Sequence, residues 1–251
     1  MSRRAALVQW LAPLHFALVT TACADDPIPP PAVAPRTAAE RGAALFESPA
    51  LSEATFNAFS CALCHETAPS GDPVIRPGAP LAGVVDRPSY WGGAEIDLLR
   101  AVNHCLSYFM LHDEPWSGSE PEAEDLYAFL SSLPAGEAGA EAVPFEVVTA
   151  VTDPPWESAA AGAGVYARGC ERCHGAIHTG ESRLAEDIPV LPDDALLDHP
   201  LGEYNLIERR LVFVEKVRHG RFLGYGGRMP PFSREKLSDR ELGDLLQFFG
   251  L

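Results

Sequence analysis

Basic residues, methionines and long apolar runs are scarce in this chain of 251 residues. Lys and Arg total 19 against 35 Asp and Glu, which gives a formal net charge of −16. This charge argues against nucleic acid and anionic lipid surfaces as partners and leaves basic proteins as candidates. Beyond the N-terminus, no apolar run reaches the roughly 20 residues of a membrane-spanning helix. Six cysteines are too few for a disulfide-dense scaffold, and four of them form two CxxC pairs.

The N-terminal segment has the pattern of a secretory signal, with two arginines followed by an apolar stretch. Residues 1–24 are therefore predicted to be a signal peptide, and the mature protein is expected in the periplasm. Two processing routes stay open. Lipid attachment to Cys23 would anchor the protein to a membrane. Cleavage after Ala24 would instead remove Cys23 with the signal and release a protein that begins at Asp25. The Pro-rich residues 25–37 are expected to form an extended spacer.

Two halves of the chain repeat one another. Residues 38–134, the first half, and residues 158–251, the second half, lie on either side of a Pro-, Ala- and Gly-rich stretch, 135–157, which is the predicted link. Each half begins with a short helical pattern, reaches a CxxCH sequence and closes with an amphipathic helical pattern. The halves are therefore predicted to be tandem domains of the same kind.

The correspondence extends to single positions. Gly42 and Gly162 lie in the opening helices of the two halves, and Asp125 and Asp244 begin the two closing helical patterns. Met110 and Met229 lie at the same spacing before these aspartates. The hydrophobic periodicity predicts helices over about 38–46, 94–109, 122–132, 158–169, 206–219 and 238–249.

The CxxCH sequences carry the clearest chemistry. Two thiols three positions apart can form thioether bonds to the two vinyl groups of one haem, and the adjacent His then lies beneath the iron as its proximal ligand. Zinc would require a second Cys or His pair in each half, and neither half supplies an obvious one. We therefore expect two covalently attached haems c, held by Cys61, Cys64, His65 and by Cys170, Cys173, His174.

Both halves resemble class I c-type cytochrome domains, and together they are similar to bacterial dihaem cytochromes c. The resemblance implies an all-α fold with two tandem haem domains of three to five short helices each. The segment 227–232, GRMPPF, resembles the Met-Pro loop of that family, which makes Met229 the expected sixth ligand of the second haem. The segment 78–83, GAPLAG, resembles the loop whose carbonyl accepts the N–H of the proximal imidazole. Arg87, Tyr90 and Trp91 follow it as candidates for binding the haem propionates.

Three residues remain candidates for the sixth ligand of the first haem. The repeat favours Met110. The order Asn103-His104-Cys105 with Met110 close behind resembles the haem-binding segment of thiosulfate dehydrogenases and SoxA subunits, in which the Cys itself is the ligand. Aligning the halves also puts Cys105 at the position of Gly220, which is expected to end a helix. His104 is the third candidate.

Three functions follow from these alternatives. The first is electron transfer between redox partner proteins by two six-coordinate haems, with the acidic surface steering a basic partner. The second is a sulfur-oxidising enzyme of the thiosulfate dehydrogenase type, with Cys105 at the active haem. The third is a dihaem peroxidase, which would need an open iron and acid–base side chains above it.

Overall fold

The computed structural model describes residues 37–68, 71–135, 143–146, 148–221 and 227–251. Within these ranges the chain forms nine α-helices and no β-strand, which confirms the all-α prediction. Every helix in the described part is too short or too polar to cross a bilayer. The helices are α1 (Ala38–Glu47), α2 (Cys61–Cys64), α3 (Leu98–Phe109), α4 (Pro121–Ser132), α5 (Ala159–Gly169), α6 (Glu171–His174), α7 (Asp193–Asp198), α8 (Leu206–His219) and α9 (Asp239–Phe248).

The six longer helices lie where the sequence pattern predicts them, apart from the start of α3. The pattern predicts a helix from residue 94, whereas α3 begins at Leu98. The buried Glu95 carboxylate accepts the backbone N–H groups of Ile96 and Asp97 at 2.8 and 3.1 Å, so this stretch is not helical. The Asp97 side chain then caps the helix by accepting the N–H of Arg100 at 2.8 Å.

The opening and closing helices of each half cross at a glycine. A Cβ on Gly42 of α1 would lie 2.0 Å from the carbonyl oxygen of Asp125 in α4, and a Cβ on Gly162 of α5 would lie 2.0 Å from the carbonyl oxygen of Asp244 in α9. Real Cβ atoms do not approach a carbonyl oxygen this closely. Only glycine allows these two crossings, so the positions paired by the sequence repeat are also equivalent in the fold.

The paired aspartates hold the two crossings by different bonds. In the first half, Asp125 accepts a forked bond from Arg41, with Nε and Nη2 at 2.6 and 2.5 Å. In the second half, Asp244 accepts the backbone N–H groups of Glu157 and Ser158 at 2.6 and 2.8 Å. These amide donors hold the pKa of Asp244 below its ordinary value.

Each half has its own apolar core, and the edges of the two cores meet. Ile188 of the second half is part of the first core, and Ile75 of the first half packs against the second. The Ile75 N–H donates to the carbonyl oxygen of Arg168 at 3.0 Å. The described residues from Thr37 to Leu251 form one compact unit, in which the predicted domains 38–134 and 158–251 share this interface.

Part of the predicted link, 135–157, packs on the first half. The Phe145 ring lies 6.2 Å from the Trp91 ring in an edge-to-face arrangement. The predicted signal peptide, Cys23 and the spacer up to residue 36 lie outside the described residues.

Candidate functional site

The CxxCH motif of the first half borders an apolar cavity. Cys61, Cys64 and His65 line a cleft with about 1290 Å³ of free space, its open mouth included. Its walls come from all four helices of the first half and include Phe46, Phe59, Val84, Leu98, Val102, Leu106, Phe109, Leu126 and Leu130.

The loop after the first motif fixes the orientation of His65. Its Nδ1–H donates to the carbonyl oxygen of Ala79 at 2.8 Å, which leaves the Nε2 lone pair for a metal. A Cβ on Gly78 would lie 2.5 Å from ring atoms Nδ1 and Cε1, so this approach needs glycine. Burial lowers the pKa of His65 and keeps the imidazole neutral, the form that binds iron. The sequence located this loop, and the structure identifies Ala79 as the acceptor.

The second half builds the same arrangement on a loop that the sequence reasoning missed. The Nδ1–H of His174 donates to the carbonyl oxygen of Pro189 at 2.8 Å, and burial lowers the pKa of His174. The signal was present, because Pro189 and Leu191 keep the Pro-x-Leu order of the family loop. Both histidines are therefore held with Nε2 left for a metal.

The motif cysteines are free thiols in dry surroundings. Burial raises the pKa of Cys61, Cys64 and Cys170 to about 12, and it raises the pKa of Cys173 as well. Cys61 and Cys173 pack against the first apolar core and Cys170 against the second, and Cys64 lines the cavity of the first half. This is the donor set that thioether attachment of a haem requires, two thiols with a histidine directly after them.

Two of the three candidates for the first sixth ligand lie in the cavity. Met110, 3% exposed at the end of α3, and Cys105 both line it together with His65. His104 instead stacks on Tyr108 at 5.7 Å, and its Nε2 lies 3.6 Å from the carboxylate of Glu95. Met110 as the ligand, with Cys105 as its alternative, stays a prediction.

The local structures around the two methionines differ. The alignment of the halves predicted that Cys105 takes the place of the helix-ending Gly220, but α3 continues past Cys105 to Phe109. Met110 directly follows α3, whereas α8 ends well before Met229. The equal spacing to the closing helices therefore does not reflect equal local structure. Burial raises the pKa of Cys105, so its sulfur is a neutral thiol in the cavity wall.

Arg87 supplies evidence of an anionic ligand at this cavity. Its Nη2 donates to the carbonyl oxygens of Pro80 and Ala82 at 2.5 and 2.9 Å, and its buried Nε has no protein partner. A buried N–H donor of a cation normally has an acceptor, and a haem propionate provides one. Tyr90 and Trp91 also line the cavity, but their polar hydrogens are donated to backbone carbonyls.

Met229 lies in a loop seated on the end of α8. Its carbonyl oxygen accepts the N–H of Arg221 at 2.8 Å, and a Cβ on Gly220 would lie 2.4 Å from that oxygen. Met229 and Cys170 both pack against the second apolar core. The buried Arg218 holds the following residues by donating from Nη1 to the carbonyl oxygens of Phe232, Ser233 and Leu237 at 3.0, 3.3 and 2.7 Å.

The two CxxCH motifs meet at the interface between the halves. Arg172, inside the second motif, donates from Nη1 to the carbonyl oxygen of Leu63, inside the first motif, at 3.4 Å. Cys173 packs against the first apolar core. The two histidine sites are therefore neighbours in one compact unit.

Residues 157–249 match the family model of the cbb3-type cytochrome c oxidase subunit III. The match covers the second CxxCH motif, Pro189 and Met229, and spans less than half of the chain. A search of curated proteins finds no match. The neutral, oriented histidines, the paired thiols and the unpartnered Arg87 Nε fit a covalently bound haem. The second half is thus similar to a cbb3-type cytochrome c domain, which supports a c-type cytochrome with haem-based electron transfer as its function.

Proposed function

We propose that the protein is an exported dihaem c-type cytochrome that carries single electrons between redox partner proteins. The observation that carries this proposal is the contact between the two CxxCH motifs, made by Arg172 and Leu63. Each motif ends in a histidine whose Nδ1–H is bound to a backbone carbonyl. Two equivalent sites in contact suit a short relay of electrons through one protein.

The cysteines, histidines and methionines of the two sites would each have a separate role in holding the haems. Cys61, Cys64, Cys170 and Cys173 hold the two groups covalently, and His65 and His174 each present Nε2 to an iron. Met229 is the proposed sixth ligand of the second site and Met110 that of the first. Haem c supplies reversible one-electron chemistry when bound, and a thioether opposite a histidine raises its reduction potential.

The charge and the family match guide the choice of partner and compartment. A net charge of −16 favours a basic redox partner and disfavours nucleic acid. The similarity to a cbb3-type domain supports an extracytoplasmic location. The proposed membrane contact is a lipid on Cys23.

One observation favours a second candidate function. The neutral thiol of Cys105 lines the first cavity beside His65. A sulfur ligand of this kind would suit a sulfur-oxidising enzyme that acts on thiosulfate. In that case the second site would remove the electrons from the first.

The proposal is tested by counting haems and then by removing the thiol. Intact mass and a haem assay of the purified protein are expected to give two haems per chain, and a count of one would contradict the dihaem proposal. The near-infrared band of a Met–Fe(III) bond is then compared in the wild type and Cys105→Ala. An unchanged band and no thiosulfate turnover support electron transfer. Altered ligation in Cys105→Ala, together with turnover by the wild type, supports the enzyme.

A further inference from the structure

The loop that carries Met229 lies between the cavity of the first half and the apolar core of the second half. Pro230 and Pro231, which follow Met229, line the cavity of the first half together with His65 and Gly78. The loop belongs to the second half by sequence, and its methionine packs against the second core. The same short segment therefore faces the first site on one side and the second site on the other.

Arg228 fastens this loop to the first half. Its guanidinium carbon lies 5.3 Å from the centre of the Phe59 ring, and Nη1 lies 3.5 Å from the carbonyl oxygen of Phe56. Nη2 also pairs with the exposed Asp187 of the second half. The Arg228 side chain is only 13% exposed. A cation this well shielded from water interacts with an aromatic face more strongly than one at an open surface.

The Phe59 ring is fixed in position by its packing in the first half. It is 5% exposed, belongs to the first apolar core and forms part of the cavity wall. The ring is therefore held by packing on its other sides. A cation over its face is positioned by the first half of the chain, although Arg228 itself comes from the second.

The far end of the loop is anchored within the second half. The N–H of Phe232 donates to the carbonyl oxygen of Val217 at 2.8 Å, and the Nη1 of Arg218 donates to the carbonyl oxygen of Phe232 at 3.0 Å. Met229 thus lies between an anchor on α8 and an anchor on the first half. Loss of either anchor frees one end of the segment that presents the thioether.

We propose that Arg228 is a positioning residue for Met229, through which the first half of the chain stabilises the sixth ligand of the second haem. The proposal rests on the proposed function, in which Met229 binds that iron. Arg228 acts by restricting the loop, since its cation is held over Phe59 directly before the ligating residue. Without this restraint, the state in which Met229 has left the iron becomes more populated.

Imidazole is the probe that measures this state. It binds ferric iron only where the methionine has left, so its apparent affinity rises in proportion to the open fraction. Arg228→Gln removes the cation and leaves a shorter, neutral polar side chain. From the usual strength of a cation–π contact, we expect its apparent imidazole affinity at the second haem to rise roughly 3- to 30-fold. The near-infrared Met–Fe(III) band is expected to weaken in parallel.

Three further variants make the measurement specific. Met229→Ala identifies which part of the band and of the imidazole titration belongs to the second haem. Arg228→Lys keeps a cation over the ring and is expected to stay within about twofold of the wild type. Arg240→Gln is the matched control, because Arg240 lies in the same half and forms a surface ion pair with Glu157, at 2.8 Å.

Phe59→Leu removes the ring from the first half and leaves Arg228 in place. We expect Phe59→Leu to raise the apparent imidazole affinity at the second haem. If Arg228→Gln yields too little protein, Phe59→Leu tests the same contact in its place. Unchanged imidazole affinity in Phe59→Leu and Arg228→Gln, or an equal rise in affinity in Arg228→Gln and Arg228→Lys, would overturn the proposal. If Met229→Ala leaves the band unchanged, the ligand assignment in the proposed function has failed instead.

Discussion

Replacing Gly162 with alanine tests the helix crossing on which the second half is built. The new Cβ would lie 2.0 Å from the carbonyl oxygen of Asp244 and 2.8 Å from the Cβ of Phe248. The nearest atom belongs to the backbone of α9, so a rotamer change cannot relieve the contact and the two helices must separate. Overpacking costs about 1–3 kcal/mol, and a backbone clash belongs at the upper end of that range.

Two effects of the substitution oppose each other. Alanine is favoured over glycine inside a helix by about 0.5–1 kcal/mol, which offsets part of the clash. The net loss in the free energy of unfolding is therefore about 2 kcal/mol. For a chain of this size, a loss of that amount lowers the melting temperature by about 4–8 °C.

Gly164 in the same helix provides the control. A Cβ there would meet only the mobile end of Arg168, with Nη1 at 3.5 Å. Gly164→Ala is therefore expected to raise the free energy of unfolding by about 0.5–1 kcal/mol through helix propensity alone. Both variants are compared as haem-loaded proteins in thermal melts followed by far-ultraviolet circular dichroism. If Gly162→Ala melts at or above the temperature of Gly164→Ala, the close crossing of α5 and α9 is refuted.

Three further predictions address the sites and the pH dependence. Gly78→Ala places a Cβ 2.5 Å from the His65 ring, so we expect loss of haem from the first site, seen as a lower haem-to-protein ratio. Arg87→Gln removes a cation from the first cavity, which favours the ferric state and lowers the midpoint potential of that haem in a redox titration. A rise would contradict the assigned place of Arg87. The backbone N–H groups of Ser158 and Glu157 lower the pKa of Asp244 in the folded protein. The Asp244 carboxylate therefore stabilises the fold at pH values above its unfolded-state pKa. This stabilisation is lost as the pH falls through the lower pKa of the folded state. Melts from about pH 5 to pH 2 should therefore show a shallower acid loss in Asp244→Asn than in the wild type.

Local patterns were enough to predict much of this protein. The CxxCH sequence places two thiols and an imidazole together by chain geometry alone, so the assignment of those six residues to two haems needs no tertiary information and stays a prediction. The helices followed from periodicity, and the paired glycines from the repeat. The start of α3 was missed because the carboxylate of Glu95 competes for amide donors that a helix would otherwise use.

Contacts between distant segments could not be predicted in this way. The acceptor for His174 lies on a loop with an incomplete family pattern, and only the fold brings Pro189 to the ring. The loop motif around Arg228 gives no sign of a partner outside the loop, and nothing in the pattern of either half indicates that Arg228 reaches Phe59. The choice between Met110 and Cys105 was left open by the sequence because the repeat favours Met110 and the resemblance to thiosulfate dehydrogenases favours Cys105, and in the structure both residues line the same cavity.

The contact of the two CxxCH motifs has a consequence for the stretch between the halves. Arg172, Leu63, Ile75 and Arg168 join the halves directly, so the separation of the motifs is set by the interface and not by the length of the connecting chain. The entropic cost of closing a loop grows only slowly with its length. An insertion in the connection between the halves is therefore expected to leave the spacing of the two motifs unchanged, because the interface holds the pair of sites in place.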